Sequence, residues 1–172
     1  MNGQDENREV PPSQTSPSML CSDYMPRVSL FYLGADHAGF ALKEAVKALL
    51  DAHKIPFEDL SPRLIPKDDY PMIGALVAKR VTKTEGSQGI LCCGSGMGIA
   101  MAANRFRGIR AAVIQTPEDA VLAREHNHAN ILALGGRLLT PSKLSAILTA
   151  WLRTKPSRAA RHLRRIQTLD TL

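Results

Sequence analysis

The chain predicts a three-layer α/β/α sandwich built on a five-stranded, parallel, doubly wound sheet. Three observations carry that expectation. Five short stretches are apolar almost throughout, the pattern of strands buried on both faces. Segments with helical spacing of apolar residues alternate with them, as connections between parallel strands require. A glycine-rich turn, Gly94-Ser95-Gly96-Met97-Gly98, follows the third stretch, at the kind of strand-to-helix junction where such sheets bind ligands.

The elements follow in order. Residues 28–34 are apolar apart from Ser29 and form the first strand. Phe40, Ala41, Val46, Leu49 and Leu50 then recur at helical spacing, with Lys43, Glu44 and Lys47 between them. Residues 55–60 make a weaker second strand, and Pro56 assigns it to an edge. A polar loop over 61–69 leads to a helix with Pro71 in its first turn, reaching Thr82. The third strand is 89–93, and the segment from Ile99 to Asn104 after the glycine turn is helical. The fourth strand is 109–114. Thr116-Pro117 opens the next helix, with threonine as N-cap and proline at the first helical position. The fifth strand is 130–134. Thr140-Pro141 opens a helix to Leu152, and a last, basic helix starts near Ser157.

At 172 residues, 44% hydrophobic and 22% charged, the chain suits one globular domain, residues 27–172. Residues 1–26 are polar and rich in proline and serine, the composition of a disordered extension. The formal charge of +6 is uneven. Arg153, Lys155, Arg158, Arg161, Arg164 and Arg165 crowd the end, which favours anionic partners such as phosphorylated small molecules. Nucleic acid is not the expected partner. Three cysteines, two of them adjacent, make no disulfide framework and point to a reducing compartment. No secretory signal and no run of membrane-spanning length is visible, so the expected location is cytoplasmic, without a membrane partner. Organelle targeting by the extension stays open.

Ligands of such sheets lie beyond the carboxyl ends of the strands, at a topological switch point. The residues there are Asp36-His37, Cys93 with Gly94 to Gly98, Gln115-Thr116, and Gly135-Gly136-Arg137. If the first and third strands are neighbours, Asp36-His37 and Cys93 meet. Cys93 at the lip of a bare-backbone turn suits a nucleophile, a base or a redox thiol. Adjacent strand residues face opposite ways, so Cys92 is the buried one. His126-Asn127-His128 ends the helix after the fourth strand, where a histidine serves as an acid or base or answers the helix dipole. Arg161 and Arg165 share a helix face, and with Arg137 they suit bidentate phosphate binding. Arg153, Lys155 and Arg158 read as a solvated basic face.

Sharper motifs fail. The glycine spacing is not G-x-G-x-x-G, and no nucleotide P-loop is present. Cys92-Cys93 is not C-x-x-C, and Ile99 stands where a cysteine phosphatase has arginine. His37, His126, His128 and a cysteine match no standard metal spacing, so no metal is expected.

Taken in order, the motifs are more specific than any one of them. They run Gly34-Ala35-Asp36-His37-Ala38-Gly39-Phe40, Asp69-Tyr70-Pro71, Gly89-Ile90-Leu91-Cys92-Cys93-Gly94-Ser95-Gly96-Met97-Gly98, Ala102-Ala103-Asn104-Arg105 and Gly108-Ile109-Arg110-Ala111, then Glu125-His126-Asn127 and Gly135-Gly136-Arg137. The set resembles the type B ribose-5-phosphate isomerases, whose superfamily also holds the galactose-6-phosphate isomerase subunits. The resemblance covers residues 28–169.

It implies a Rossmann-like fold and a homodimer, or a dimer of dimers, with sites at the subunit interface and the basic C-terminal helix on the partner. It implies interconversion of ribose 5-phosphate and ribulose 5-phosphate through an enediolate, without metal or organic cofactor. Cys93 matches the base that moves a proton between C2 and C1, and His126 the histidine of ring opening. Asp36, His37 and Tyr70 match substrate contacts, and Asn104 and Asn127 match asparagines near the site. Gly94, Ser95, Gly96, Met97 and Gly98 match the anion cradle, Ser95 standing where threonine is common. Arg137, Arg161 and Arg165 match phosphate positions, the last two reaching across from the partner; Arg164 is a neighbour that competes with Arg165. The alternatives are an isomerase of galactose or allose 6-phosphate, a non-catalytic phosphosugar-binding module, and a cysteine hydrolase using Cys93 and His126.

Overall fold

A computed structural model describes residues 28–172. The expected N-terminal extension, with Cys21, lies outside the described residues. The chain runs β1 (Phe31–Ala35), α1 (Phe40–Ala52), β2 (Phe57–Asp59), α2 (Tyr70–Lys83), β3 (Gln88–Cys93), α3 (Met97–Ala103), β4 (Ala111–Val113), α4 (Pro117–Asn127), β5 (Ile131–Gly135), α5 (Pro141–Arg153) and α6 (Ala160–Thr171). The five strands form one parallel sheet in the order β2-β1-β3-β5-β4. The winding reverses between β1 and β3, so the switch point falls between Ala35 and Cys92, which are paired in register. The three-layer architecture and the edge place of β2 match the expectation.

The pleat divides the core in two. Leu33, Ile90, Cys92, Leu132 and Leu134 face α1, α4 and α5, where they meet Val46, Leu50, Ala120, Ile147 and Trp151. Leu91, Cys93, Ile131 and Ala133 face α2 and α3, against Val77, Ala78, Ile99 and Ala100. Cys92 and Cys93 therefore point to opposite layers, as strand alternation requires. Cys92 is fully buried, and that burial pushes its thiol far above its ordinary pKa.

Several boundaries differ from the sequence expectation, β1 starting three residues later, at Phe31, and β2 shortening to Phe57–Asp59; three have a visible physical reason. β4 is only three residues long, because the Arg110 N–H and carbonyl are taken by the Asn130 side chain and backbone rather than by a ladder. α6 begins at Ala160, not Ser157. Ser157 instead donates its N–H to the Glu125 carbonyl, and its own carbonyl meets His128 Nε2 at 2.7 Å, so the α5–α6 connection is strapped to the end of α4. α3 begins at Met97, directly at the left-handed Gly96, two residues before the helix read from Ile99.

The start of α4 was legible. Thr116 Oγ1 accepts the Asp119 N–H and Asp119 Oδ2 accepts the Thr116 N–H, a complete capping box. The basic helix α6 lies against its own chain's α4, with Arg110 Nη1 paired to Asp170 at 2.7 Å. Leu163 and Leu169 of this helix are exposed.

Candidate active site

Three turns meet at the carboxyl edge of the sheet. After β1, buried Asp36 turns its Oδ1 onto the N–H groups of Ala38 and Gly39, both at 2.9 Å, and so fixes the entry to α1. That turn is packed straight onto the end of β3: a side chain at Gly39 would collide with the Cys92 carbonyl and the Cys93 nitrogen. After β3, Gly96 takes φ +80°, a conformation that favours glycine, and seats the turn on the backbone of Leu134. After β5, Gly136 N–H donates to the Cys93 carbonyl at 2.7 Å, and Arg137 N–H to the Gly94 carbonyl at 3.1 Å.

These contacts place the side chains. Cys93 is 4% exposed, and its sulfur accepts the Gly96 N–H at 3.1 Å. Ser95 Oγ accepts the Met97 N–H at 3.3 Å. The Arg137 guanidinium lies against Gly94, and the ring of Tyr70, the first residue of α2, lies against Gly98. His37 projects from the neighbouring β1 turn, its ring Nδ1 3.2 Å from Asp68 Oδ1. The structure thus gathers Cys93, Gly94, Ser95, Gly96, Met97, Gly98, Tyr70 and Arg137 around one turn, with Asp36 and His37 on the adjoining one. Since β1 and β3 are neighbours, the expected meeting of Asp36-His37 with the Cys93 turn occurs.

A second group lies at the other edge. α4 starts beyond the carboxyl end of β4 and runs back; its 11 residues span about 16 Å. His126 and Asn127 therefore sit beside the residues that open β5. Ile131 is opposite Gly89 and Gly135 is opposite Cys93. The four steps between Gly89 and Cys93 cover about 13 Å of sheet, and this length separates the two groups within one chain. α6 completes the second group. The His126 ring stacks on His162 at 4.4 Å between centroids, and Arg161 Nε donates to His162 Nε2 at 3.2 Å. Arg165 faces His162 as well. Arg110 Nε donates to the carbonyls of Asn127 and His128 and closes the end of α4.

Asn104 is not brought to the Cys93 turn. It caps the far end of α3, where its amide pairs both ways with the Ala111 backbone, at 2.9 and 2.7 Å. Asp68 and His162 escaped the sequence reading. Asp68 sits in a polar loop with no periodicity. His162 is an imidazole within a run of arginines, and its only signal is the spacing of four to Ile166, the other buried residue of α6.

Met72, Leu76, Met97 and Met101 give α2 and α3 an exposed apolar face, with Met72 75% and Met101 69% exposed. Among the described residues no helix is long and apolar enough to cross a membrane. None of their histidine, cysteine, aspartate and glutamate side chains form a cluster able to hold a metal ion.

A sequence model described as Ribose/Galactose Isomerase matches residues 31–169, from β1 through most of α6. The chain belongs to the ribose/galactose isomerase family. Among curated relatives, ribose-5-phosphate isomerase B of Mycobacterium tuberculosis is 41% identical over 139 residues, 80% of this chain and 86% of that protein. Its Escherichia coli counterpart is 37% identical over 139 residues, 81% and 93% of the two chains. The crystal structure of a ribose 5-phosphate isomerase from Thermotoga maritima superposes with a TM-score of 0.79 at 42% identity, covering 83% of this chain and 98% of that one. A Mycoplasma genitalium ribose-5-phosphate isomerase B with bound ribulose-5-phosphate gives 0.78 at 35% identity, covering 83% and 94%. The family domain thus accounts for every element of the sheet and both groups of candidate residues.

Proposed function

We propose that the chain is a cofactor-independent aldose–ketose isomerase that interconverts ribose 5-phosphate and ribulose 5-phosphate through an enediolate. The observation that carries this is the Cys93 sulfur held at 3.1 Å from the Gly96 N–H, at the lip of a glycine turn, in a chain of this family. Moving a hydrogen between C2 and C1 needs one base that reaches both carbons. Cys93 is that base. It takes the C2 proton, charge grows on the sugar oxygens, and the proton returns to C1.

The N–H groups of the Gly94 to Gly98 turn other than those given to Cys93 Sγ and Ser95 Oγ, with the Ser95 hydroxyl, surround the developing oxyanion. Donors of this kind are worth roughly 3 kcal/mol of barrier each. Asp36, His37 and Tyr70 contact the sugar. Arg137, Arg161 and Arg165 hold the phosphate, whose binding energy positions the reacting end.

Ribose 5-phosphate is a closed ring, so an acid/base group must open it to free the C1 carbonyl that makes the C2 hydrogen acidic. His126 does this, with Asn127 beside it. It acts in the site of a second copy, since the sheet parts it from Cys93 of its own chain. The exposed apolar face of α2 and α3 supports such pairing: Met72, Leu76, Met97 and Met101 suit a self-complementary interface. Asn104 holds the start of β4 with its amide and lines the same cavity as Asn127 and Arg110.

The test is turnover of ribose 5-phosphate to ribulose 5-phosphate with chelator present, beside galactose 6-phosphate and allose 6-phosphate under the same conditions. Turnover fastest on the five-carbon sugar is the expected result. Faster turnover of a six-carbon sugar phosphate reassigns the substrate. No turnover of any of the three reduces the chain to a phosphosugar-binding module.

A further inference from the structure

His162 takes no part in the chemistry above, yet it touches two groups that do. It is 5% exposed on α6, and its ring stacks on His126 with planes 7° from parallel and centroids 4.4 Å apart. Its Nε2 receives the Nε–H of Arg161 at 3.2 Å. A guanidinium has no lone pair to offer, so Nε2 must be the acceptor. A ring that accepts at Nε2 is a neutral imidazole with its proton on Nδ1.

The surroundings agree. Burial, then His126, Arg161 and Arg165, hold the His162 pKa below its ordinary value, and only Glu125 pulls the other way. Two imidazoliums stacked at this distance repel, whereas a cation over a neutral aromatic ring is attracted. A second proton on the stacked pair is therefore disfavoured, and His162 is held as the neutral ring.

We propose that His162 is a positioning residue of the sugar-phosphate site, a platform under His126 and an anchor for Arg161 that sets the spacing between the ring-opening group and the phosphate clamp. The proposal rests on the isomerase reading and deepens it. Arg161, held through Nε, has its two Nη groups outside that bond, the pair that suits phosphate oxygens. His126, held by stacking alone, has both ring nitrogens outside the contact with His162. One buried ring on α6 thus ties α4 to the arginine face, which explains an imidazole buried within a run of arginines.

The test separates the two contacts with H162F, which keeps a flat ring without an acceptor, and H162Q, which keeps an acceptor without the ring. Two reactions are read. Turnover of ribose 5-phosphate requires ring opening. Exchange of the C1 proton of ribulose 5-phosphate with D2O, followed by NMR, requires the enediolate but no ring opening, because C5 of this ketose is esterified and its furanose cannot close. For H162Q, ribose 5-phosphate turnover falls roughly tenfold, the scale of a misplaced acid/base group, while C1 exchange stays near wild type. For H162F, KM rises about tenfold for both sugars, the loss of one charge-assisted hydrogen bond that orders Arg161, with kcat little changed.

Equal losses of kcat in both reactions, or no change in either, overturn the proposal. Should neither variant fold, the wild-type protein decides: ring 15N shifts must show His162 as the neutral Nδ1–H tautomer at the pH of the turnover assay, and a protonated His162 or the Nε2–H tautomer there overturns it. Absence of ribose 5-phosphate turnover by the wild type overturns the isomerase reading instead, a result distinct from any of these.

Discussion

A single carboxylate oxygen of Asp68 holds His37 twice: it accepts the backbone N–H at 2.7 Å and faces ring Nδ1 at 3.2 Å. A carboxylate only accepts, so Nδ1 carries a proton and the ring is turned with Nε2 away from Asp68. Removing Asp68 frees both the ring and the turn after β1. The ring is 41% exposed, so solvent screens much of the interaction. For D68A the expected cost is about 1 kcal/mol, read as a roughly fivefold rise in KM for ribose 5-phosphate with kcat nearly kept. D68N, which still offers one acceptor, falls between. Equal KM values for D68A and wild type would remove His37 from the substrate contacts.

On the proposed mechanism, Cys93 is the residue whose loss the reaction cannot tolerate. C93A takes away the base and leaves the glycine turn, Arg137 and Tyr70 in place. Turnover is expected to drop below detection while sugar phosphate still binds, measured by calorimetry. C93A that turns over at an ordinary rate sinks the base assignment. C92A, in contrast, removes a sulfur buried against Leu134 and its neighbours in the other layer, so it changes stability and leaves kcat alone.

What was legible from sequence was what is local. The run Gly89 to Gly98 shows its strand, its tight turn and the opposite facing of the two cysteines in consecutive residues. Thr116, Pro117 and Asp119 spell out a helix start. The unreadable parts depend on residues far apart in the chain. Asp68 meets His37 from a polar loop 31 positions away, and no pattern marks it. His126 and His162 meet through tertiary packing of α4 on α6. Asn104 enters as a site residue only through the family resemblance. The seven residues of α3 carry it away from the glycine turn, to where the start of β4 needs a partner. The separation of Cys93 from His126 likewise follows from strand order and helix direction, not from either motif.

The edge of the sheet supplies a pH prediction. The Lys43 side chain is fully buried and its Nζ lies 2.6 Å from Asp59 Oδ2, with Lys47 at 3.0 Å from the same oxygen. Burial pushes the Asp59 carboxyl up, but hydrogen bonds from Lys43 and Lys47 outweigh it and hold the group below its ordinary value. The folded state thus binds the proton less tightly than the unfolded one. The stabilisation is complete above the unfolded value, about 3.9, and is lost as pH falls through the lower folded value. Urea unfolding should show stability falling below about pH 4, and D59N should remove that part of the slope. D59N also takes one of the two carboxylates from the buried Lys43 ammonium, which keeps Glu44 Oε1 at 3.0 Å and the Ser61 carbonyl at 2.7 Å, at a cost of about 1–3 kcal/mol at neutral pH. Activity should fall with it, because Asp59 Oδ1 holds the Ser61 N–H and Ser61 Oγ holds the Ala35 N–H beside Asp36. An unchanged acid limb in D59N would place the pH sensitivity elsewhere.

The proposed division of the site between two copies makes the sharpest prediction. In a symmetric dimer with shared sites, each site takes Cys93 from one copy and His126 from the other. C93A alone has no base in either site, and H126A alone has no ring-opening group in either. A heterodimer of the two places both substitutions in one site and leaves the second site intact. Co-expressed C93A and H126A chains, half of them paired as heterodimers by chance, should regain about a quarter of wild-type turnover of ribose 5-phosphate. The two variants purified apart and mixed without exchange of subunits should show only the sum of their own low rates. If co-expression gives no more than that sum, Cys93 and His126 do not act in one shared site. A mutant dimer interface provides the control: M101E on α3, with its residue 69% exposed in the single chain, should yield monomers by light scattering and lose turnover at low concentration. Loss of turnover in step with loss of the dimer follows from a site that needs both chains, since neither the Cys93 turn nor the His126–His162 stack includes Met101 among its contacts.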